Sequence, residues 1–236
     1  MTAPCPLLSF PADGCAVVVG AGGGIGGALA QALAASGRFA TVHALRRADL
    51  DLEDEASIAA AAARLTAPPR LVIVATGLLQ GQGVTPEKAL RAVDPAALLK
   101  GYAVNAVGPV LVAKHFTPLF PRAGKTVFAA LSARVGSLGD NRLGGWHGYR
   151  ASKAALNMLL RNVAIELART RPEAVCLALH PGTVDTGLSA PFQTGVPGVR
   201  LFTPAFSAAR LLEVIDRRGT EDSGGVFDWA DKPVPW

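Results

Sequence analysis

The chain holds two tyrosines, and one of them, Tyr149, stands four positions before Lys153 in GYRASKAALN (148–157). On a helix that spacing stacks both side chains on one face. A phenol with an ordinary pKa of about 10 is a poor acid–base catalyst near neutrality. A neighbouring ammonium group, together with a second positive charge bound beside it, would favour the phenolate and lower that value, which turns the phenol into a usable proton donor and acceptor. Ser132 closes the apolar run KTVFAAL and can hydrogen-bond the oxygen that exchanges the proton. A Tyr-x-x-x-Lys pair alone usually marks an exposed helix face. Here it follows a serine that closes an apolar, strand-like run.

Asn105 lies in a long helical stretch with Pro109 four residues later. Proline has no N–H for the carbonyl at i−4 and clashes with it, so the Asn105 carbonyl is expected to be freed in mid-helix. Beside Lys153 a freed carbonyl can hold an ordered water.

These residues need a scaffold. CAVVVG (15–20) is a short β-branched run that meets glycines, and IGGALAQALAASG (25–37) continues as a helix ending at Gly37. Further strands are expected at TVHAL (41–45), RLVIVA (70–75), KTVFAAL (125–131), AVCLALH (174–180) and GGVFDW (224–229). Helices are expected over 53–65, from about Pro95 to Phe120, from Tyr149 onward and over 204–218. Buried strands alternating with helices predict an α/β fold, a Rossmann-type doubly wound parallel sheet, in a single domain spanning residues 1–236. Such sheets bind ligands at the carboxyl ends of their strands. The turn VVVGAGGGIGG fits G-x-G-x-x-G through Gly22, Gly24 and Gly27, and G-x-x-x-G-x-G through Gly20, Gly24 and Gly26. The strand ends at Val19, which favours the second reading, and glycines there let a pyrophosphate approach the next helix's N-terminus.

In order and spacing, GAGGGIG, YAVNAVGP, LSARVGS, YRASK and HPGTVDT resemble the short-chain dehydrogenase/reductase superfamily over nearly the whole chain. HPGTVDTGLS, PFQTGVPGVRLFTP and the ending GGVFDWADKPVPW are similar to its C-factor-like branch. The resemblance implies an NAD(P)(H)-dependent oxidoreductase that interconverts a small carbonyl compound and its alcohol. Asn105, Ser132, Tyr149 and Lys153 would be its catalytic set, with Asn105 relaying protons from the lysine to solvent. It places Gly20, Gly24, Ile25, Gly26, Asp51, Leu52, Ala75, Gly77, Tyr149, Lys153, Pro181, Gly182, Val184 and Thr186 against the cofactor, with Asp51-Leu52 on the adenine side. Thr183, Val184 and Thr186 are expected at the nicotinamide end, with 185–203 as an irregular lid. A homodimer or homotetramer is implied as well. The branch includes proteins associated with cell–cell signalling, so a nucleotide-binding signalling or sensor protein with little turnover is the alternative.

Val19 replaces the threonine usual before the first glycine, and VATG (74–77) stands where Asn-Asn-Ala-Gly is common, so Thr76 is expected to brace the sheet centre. Only RRA separates TVHAL from DLDL, too short for a crossover helix, so the third strand and its helix are expected to be shortened or missing from the order 3-2-1-4-5-6-7. The second strand ends in Leu45-Arg46-Arg47, with no carboxylate before Asp49. Guanidinium groups suit a 2′-phosphate, which predicts NADP(H) as the preferred cofactor with NAD(H) possible; the loop position that is often basic is Gly23 here.

Half of the residues are hydrophobic and 17% are charged, which argues against disorder. The net charge of +5 is spread singly, without interleaved aromatics, so no nucleic-acid partner is expected. The first residues lack a basic n-region and no uninterrupted apolar run reaches the roughly 18 residues of a span, so neither signal peptide nor membrane is expected. Cys5, Cys15 and Cys176 show no CxxC spacing and suggest free thiols in the cytoplasm. The four histidines lack zinc-site spacing, so no metal is expected. His147 reads as a surface or rim residue. Trp146 and Phe192 are candidates for an apolar substrate pocket or for packing.

Overall fold

Along β1 (Cys15–Val19), Cys15, Val17 and Val19 pack into one apolar layer while Ala16 and Val18 pack into the other. That two-residue period, with every position buried, is the mark of a strand covered on both faces. The computed structural model of the chain describes residues 5–192 and 201–236. After β1 come α1 (Gly24–Ser36), β2 (Thr41–Leu45), α2 (Glu55–Ala63) and β3 (Pro69–Val74). Next come α3 (Pro95–Tyr102), a π-helical turn at Ala103–Val107, α4 (Gly108–Phe116), β4 (Thr126–Leu131) and α5 (His147–Thr170). The chain continues through β5 (Ala174–His180), β6 (Thr183–Val184), β7 (Leu201–Phe202), α6 (Pro204–Arg217) and β8 (Val226–Asp228).

Six strands form a sheet in the order β2-β1-β3-β4-β5-β8, every pairing parallel. Leu29 and Leu33 of α1 and Leu211 and Ile215 of α6 cover one face. Ile58 of α2, Val112 and Phe116 of α4, and Leu156 and Leu160 of α5 cover the other. Strand β2 is the edge, and the chain passes from it through residues 46–54 straight into α2. The expected third strand and its helix are therefore missing, because the link is too short to cross the sheet. Strand order reverses between β1 and β3, which opens a crevice at their carboxyl ends.

The run 95–119 is long and apolar enough to cross a membrane by length and composition. In this fold Val112, Ala113 and Phe116 bury its inner face against the sheet. The helix absorbs Pro109 through the π turn just before it. The irregular segment expected over 185–203 is bounded by regular pairing, since Thr183 and Val184 of β6 match Leu201 and Phe202 of β7. Residues 193–200 of that segment, and the Phe192 side chain, lie outside the described residues.

Candidate active site

Gly20 follows β1 directly with φ +88°, a conformation that favours glycine. A Cβ at Gly26 would overlap the Gly20 carbonyl oxygen, so α1 can lie against the turn only with glycine there. Gly24 opens α1, and a Cβ on it would come within 2.9 Å of Thr186 Cγ2. No side chain caps that helix, which leaves first-turn N–H groups as a ready anion site. The tightest backbone approaches in the turn thus fall at Gly20 and Gly26, with only 3.8 Å and 3.3 Å contacts at Gly22 and Gly27.

A cleft of about 570 Å³ runs from this turn to the catalytic candidates. It is lined by Gly20, Gly24, Ile25, Arg47, Ala75 and Gly77 together with Ser132, Tyr149, Lys153, Pro181 and Thr186. Asp51 and Leu52 line an adjoining pocket of about 170 Å³ with Arg47, Thr76 and Gly77. Arg46 stands at the rim, its Cγ 3.8 Å from where a Gly22 Cβ would lie. Arg47 is exposed and lies 3.7 Å from Asp51 and 3.5 Å from Glu53. Gly182 has φ +81° and sits against the Phe202 and Trp229 rings. Val184 is buried in β6, and neither it nor Thr183 lines the cleft. Thr186, Gly187 and Leu188, just after β6, do line it. A larger cavity of about 620 Å³ lies beyond β8, but its Arg218 is already paired with Asp222 and Asp231.

Lys153 is buried and its Nζ donates to the Leu131 carbonyl at 2.7 Å. The same nitrogen sits 5.9 Å from the centre of the Tyr149 ring. Burial pulls the Lys153 ammonium down to about 8 and pushes the Tyr149 phenol up to about 12. These directions belong to the protein without cofactor, whereas the lowered phenol pKa was expected from the lysine together with an oxidised nicotinamide. Loss of solvent disfavours both charged forms and outweighs the mutual attraction. The phenol is therefore held protonated. Trp146 packs edge-on to Tyr149 with ring centres 6.3 Å apart. His147 is the first residue of α5, beside it.

The Asn105 side chain has a part of its own, beside the backbone carbonyl that its proline singles out. Its Oδ1 accepts the Leu78 N–H at 2.7 Å, while its Nδ2 donates to the Leu78 carbonyl at 2.8 Å and to Ser152 Oγ at 3.1 Å. The side chain thus ties the segment after β3 to α5. This corrects the expectation for Thr76, whose buried hydroxyl has no hydrogen-bond partner in the structure. That orphaned hydroxyl, the uncapped helix start and the glycine-only turn all fit a dinucleotide in the cleft.

Two contributors escaped the sequence reading. Glu87 is buried, and its carboxylate oxygens accept the Gly148 N–H at 3.2 and 3.1 Å, capping α5 from a distant loop. Asn157 is buried on the Lys153 face of α5, and its Oδ1 accepts the Ser132 hydroxyl at 2.6 Å. A signal existed for Asn157, which is a polar residue within the helix's apolar stripe. For Glu87 there was none. Among the described residues no cluster of His, Cys, Asp or Glu is arranged to hold a metal, and all three cysteines are free.

The family model for short chain dehydrogenases matches residues 14–196. The chain belongs to that family. It is 38% identical over 150 residues to C-signal of Myxococcus xanthus, covering 63% of this chain and 84% of that protein, which places it in the C-factor-like branch. It is also 38% identical over 122 residues to 1-hydroxy-2-glutathionyl-2-methyl-3-butene dehydrogenase of Rhodococcus sp. strain AD45, spanning 51% of this chain and 50% of that one. Among solved structures, NADPH-bound carbonyl reductase from chicken fatty liver superposes with a TM-score of 0.77 at 25% identity, covering 96% of this chain and 95% of that one. The carbonyl reductase Sniffer of D. melanogaster shares the fold, with a TM-score of 0.74 at 20% identity over 94% of this chain and 99% of that one. The chain is an oxidoreductase of the short-chain dehydrogenase family.

Proposed function

We propose that this short-chain dehydrogenase interconverts a small carbonyl compound and its alcohol, with NADP(H) preferred over NAD(H). The observation that carries the reading is one cleft joining the glycine turn to Ser132, Tyr149 and Lys153. NADPH bound to the carbonyl reductase from chicken fatty liver supports the cofactor choice. Bound here, reduced nicotinamide would supply hydride to the carbonyl carbon. Tyr149 gives its proton to the carbonyl oxygen as the C=O π pair moves there, and the reverse reaction returns it. A phenol held neutral by burial is charged with its proton in advance, which suits reduction. Lys153, anchored on Leu131, holds a cation beside the phenolate that forms. Asn105 fixes the wall behind both through Leu78 and Ser152, and its backbone carbonyl is our candidate for the water that relays protons onward.

The similarity to C-signal favours a second reading, a nucleotide-binding signalling protein with little turnover. Such a protein needs the nucleotide half of the cleft but not the phenol. A panel of cyclohexanone, acetophenone and 2,3-butanedione, with the matching alcohols and both cofactors, tests the first reading by nicotinamide absorbance. Turnover with NADPH is the expected result. A protein that binds NADPH yet turns over none of the panel would favour the second.

A further inference from the structure

An amide buried in an apolar helix face is costly unless hydrogen-bonded. Asn157 stands between Leu156 and Leu160 on α5, where leucine would pack without that penalty. Among the described residues, the one hydrogen bond of its side chain is the 2.6 Å contact with Ser132 Oγ. Ser132 lines the cleft, whereas Asn157 lies behind it. We infer that Asn157 is a positioning residue that sets whether the Ser132 hydroxyl donates to or accepts from the substrate oxygen. This role rests on the carbonyl–alcohol reading above.

A serine hydroxyl has one proton and two lone pairs. In the structure the proton points at Asn157 Oδ1, so Ser132 turns lone pairs toward the cleft. An alcohol O–H finds an acceptor there, while a carbonyl oxygen needs a donor. A half-turn of the amide puts Nδ2 against Ser132, which then accepts from Asn157 and donates into the cleft. Asparagine can serve both substrates because it carries both kinds of group at the same reach. Aspartate cannot. An ionised carboxylate only accepts, and Asn157→Asp, assayed at a pH where that carboxyl is ionised, therefore commits the Ser132 proton.

The equilibrium constant does not change with the enzyme, so with cofactor binding unaltered kcat/KM must fall by the same factor in both directions. A fall of about 10²-fold is expected, typical for removal of one donor to a developing oxyanion. Its partition is the distinctive readout. For the ketone, KM rises; for the alcohol, KM stays or falls and the loss appears in kcat. Asn157→Leu removes donor and acceptor together, and should lose about tenfold in kcat/KM without that partition.

The test uses the fastest ketone–alcohol pair of the panel with wild type, Asn157→Asp and Asn157→Leu, and NADPH binding by nucleotide fluorescence. NADPH affinity should stay within about twofold, since Asn157 does not reach the cleft. Urea midpoints of Ser132→Ala, Asn157→Leu and the double variant should be non-additive if the pair is energetically real. Should Asn157→Asp fail to fold, the leucine variant decides, and wild-type constants in it overturn the role. Equal changes of KM and kcat in both directions for Asn157→Asp also overturn it. A wild type that binds NADPH but is inactive on the whole panel overturns the function and this role together. An active wild type with unaltered Asn157→Asp constants overturns this role alone.

Discussion

Tyr149→Phe removes one oxygen and leaves the ring's packing against Trp146 nearly intact. If the phenol is the proton donor, turnover should fall by at least about 10²–10⁴, the usual worth of general acid–base catalysis. NADPH affinity should hardly change. Lys153→Ala should lower turnover and NADPH affinity together, because the ammonium lies near both the Tyr149 ring and Gly77, which lines the same cleft as the glycine turn. Steady-state kinetics and nucleotide titration of both variants check this, and near-normal rates in the phenylalanine variant would reduce the pair to a helix face. The phenol also has a pH signature. A raised pKa keeps an acid neutral to higher pH, so the tyrosinate absorbance lost in Tyr149→Phe should emerge only toward pH 12 in cofactor-free protein. Bound NADP⁺ should move it downward, since a nearby cation favours the phenolate. Tyrosinate from Tyr149 near neutrality without cofactor would contradict the burial argument.

At the level of elements, the 24-residue helix α5 carries both proposed catalytic side chains, and its start is set from outside. Trp146 is its N-cap with φ +49°, and that side chain makes no capping bond. A bulky residue in the left-handed region is unfavourable by itself, so the turn needs support. The Glu87 backbone carbonyl accepts the Trp146 N–H at 2.5 Å, and its carboxylate takes the Gly148 N–H. Glu87→Ala should destabilise the fold by about 1–2 kcal/mol, the range for losing a good N-cap. It should also lower kcat by displacing Tyr149, the next residue after Gly148. Glu87→Gln, which keeps an acceptor oxygen, should retain most of both. Urea unfolding and turnover of the two variants measure this; an unchanged midpoint in Glu87→Ala would remove the cap from the account.

For the whole molecule, a ligand that binds only the folded state stabilises it by mass action, by about 2.7 kcal/mol at one hundred times its Kd. For a chain of 236 residues that is roughly a 5–10 °C rise in Tm. NADPH should give this shift at lower concentration than NADH. Arg46→Ala combined with Arg47→Ala should erase most of the difference, because Arg46 stands beside Gly22 of the glycine turn and Arg47 lines the cleft with that turn. Asp51 and Glu53 near Arg47 temper the effect by sharing its charge. Equal losses for the two nucleotides in thermal melts would reject the preference.

What the chain's sequence settled alone is what local sterics and period settle. Two-sided apolar strands, a glycine turn, the short RRA link and a Tyr–Lys pair one helical turn apart are each decided within a few residues, and they predicted the sheet, the missing strand and the cleft. The bonds of Asn105 to Leu78, Glu87 to Gly148 and Asn157 to Ser132 join residues 27, 61 and 25 positions apart, so only packing brings them together. The direction of the Tyr149 shift was decided there too. A neighbouring charge can be read from spacing, but the solvent that leaves a site cannot, and at Tyr149 the departed solvent outweighs the charge.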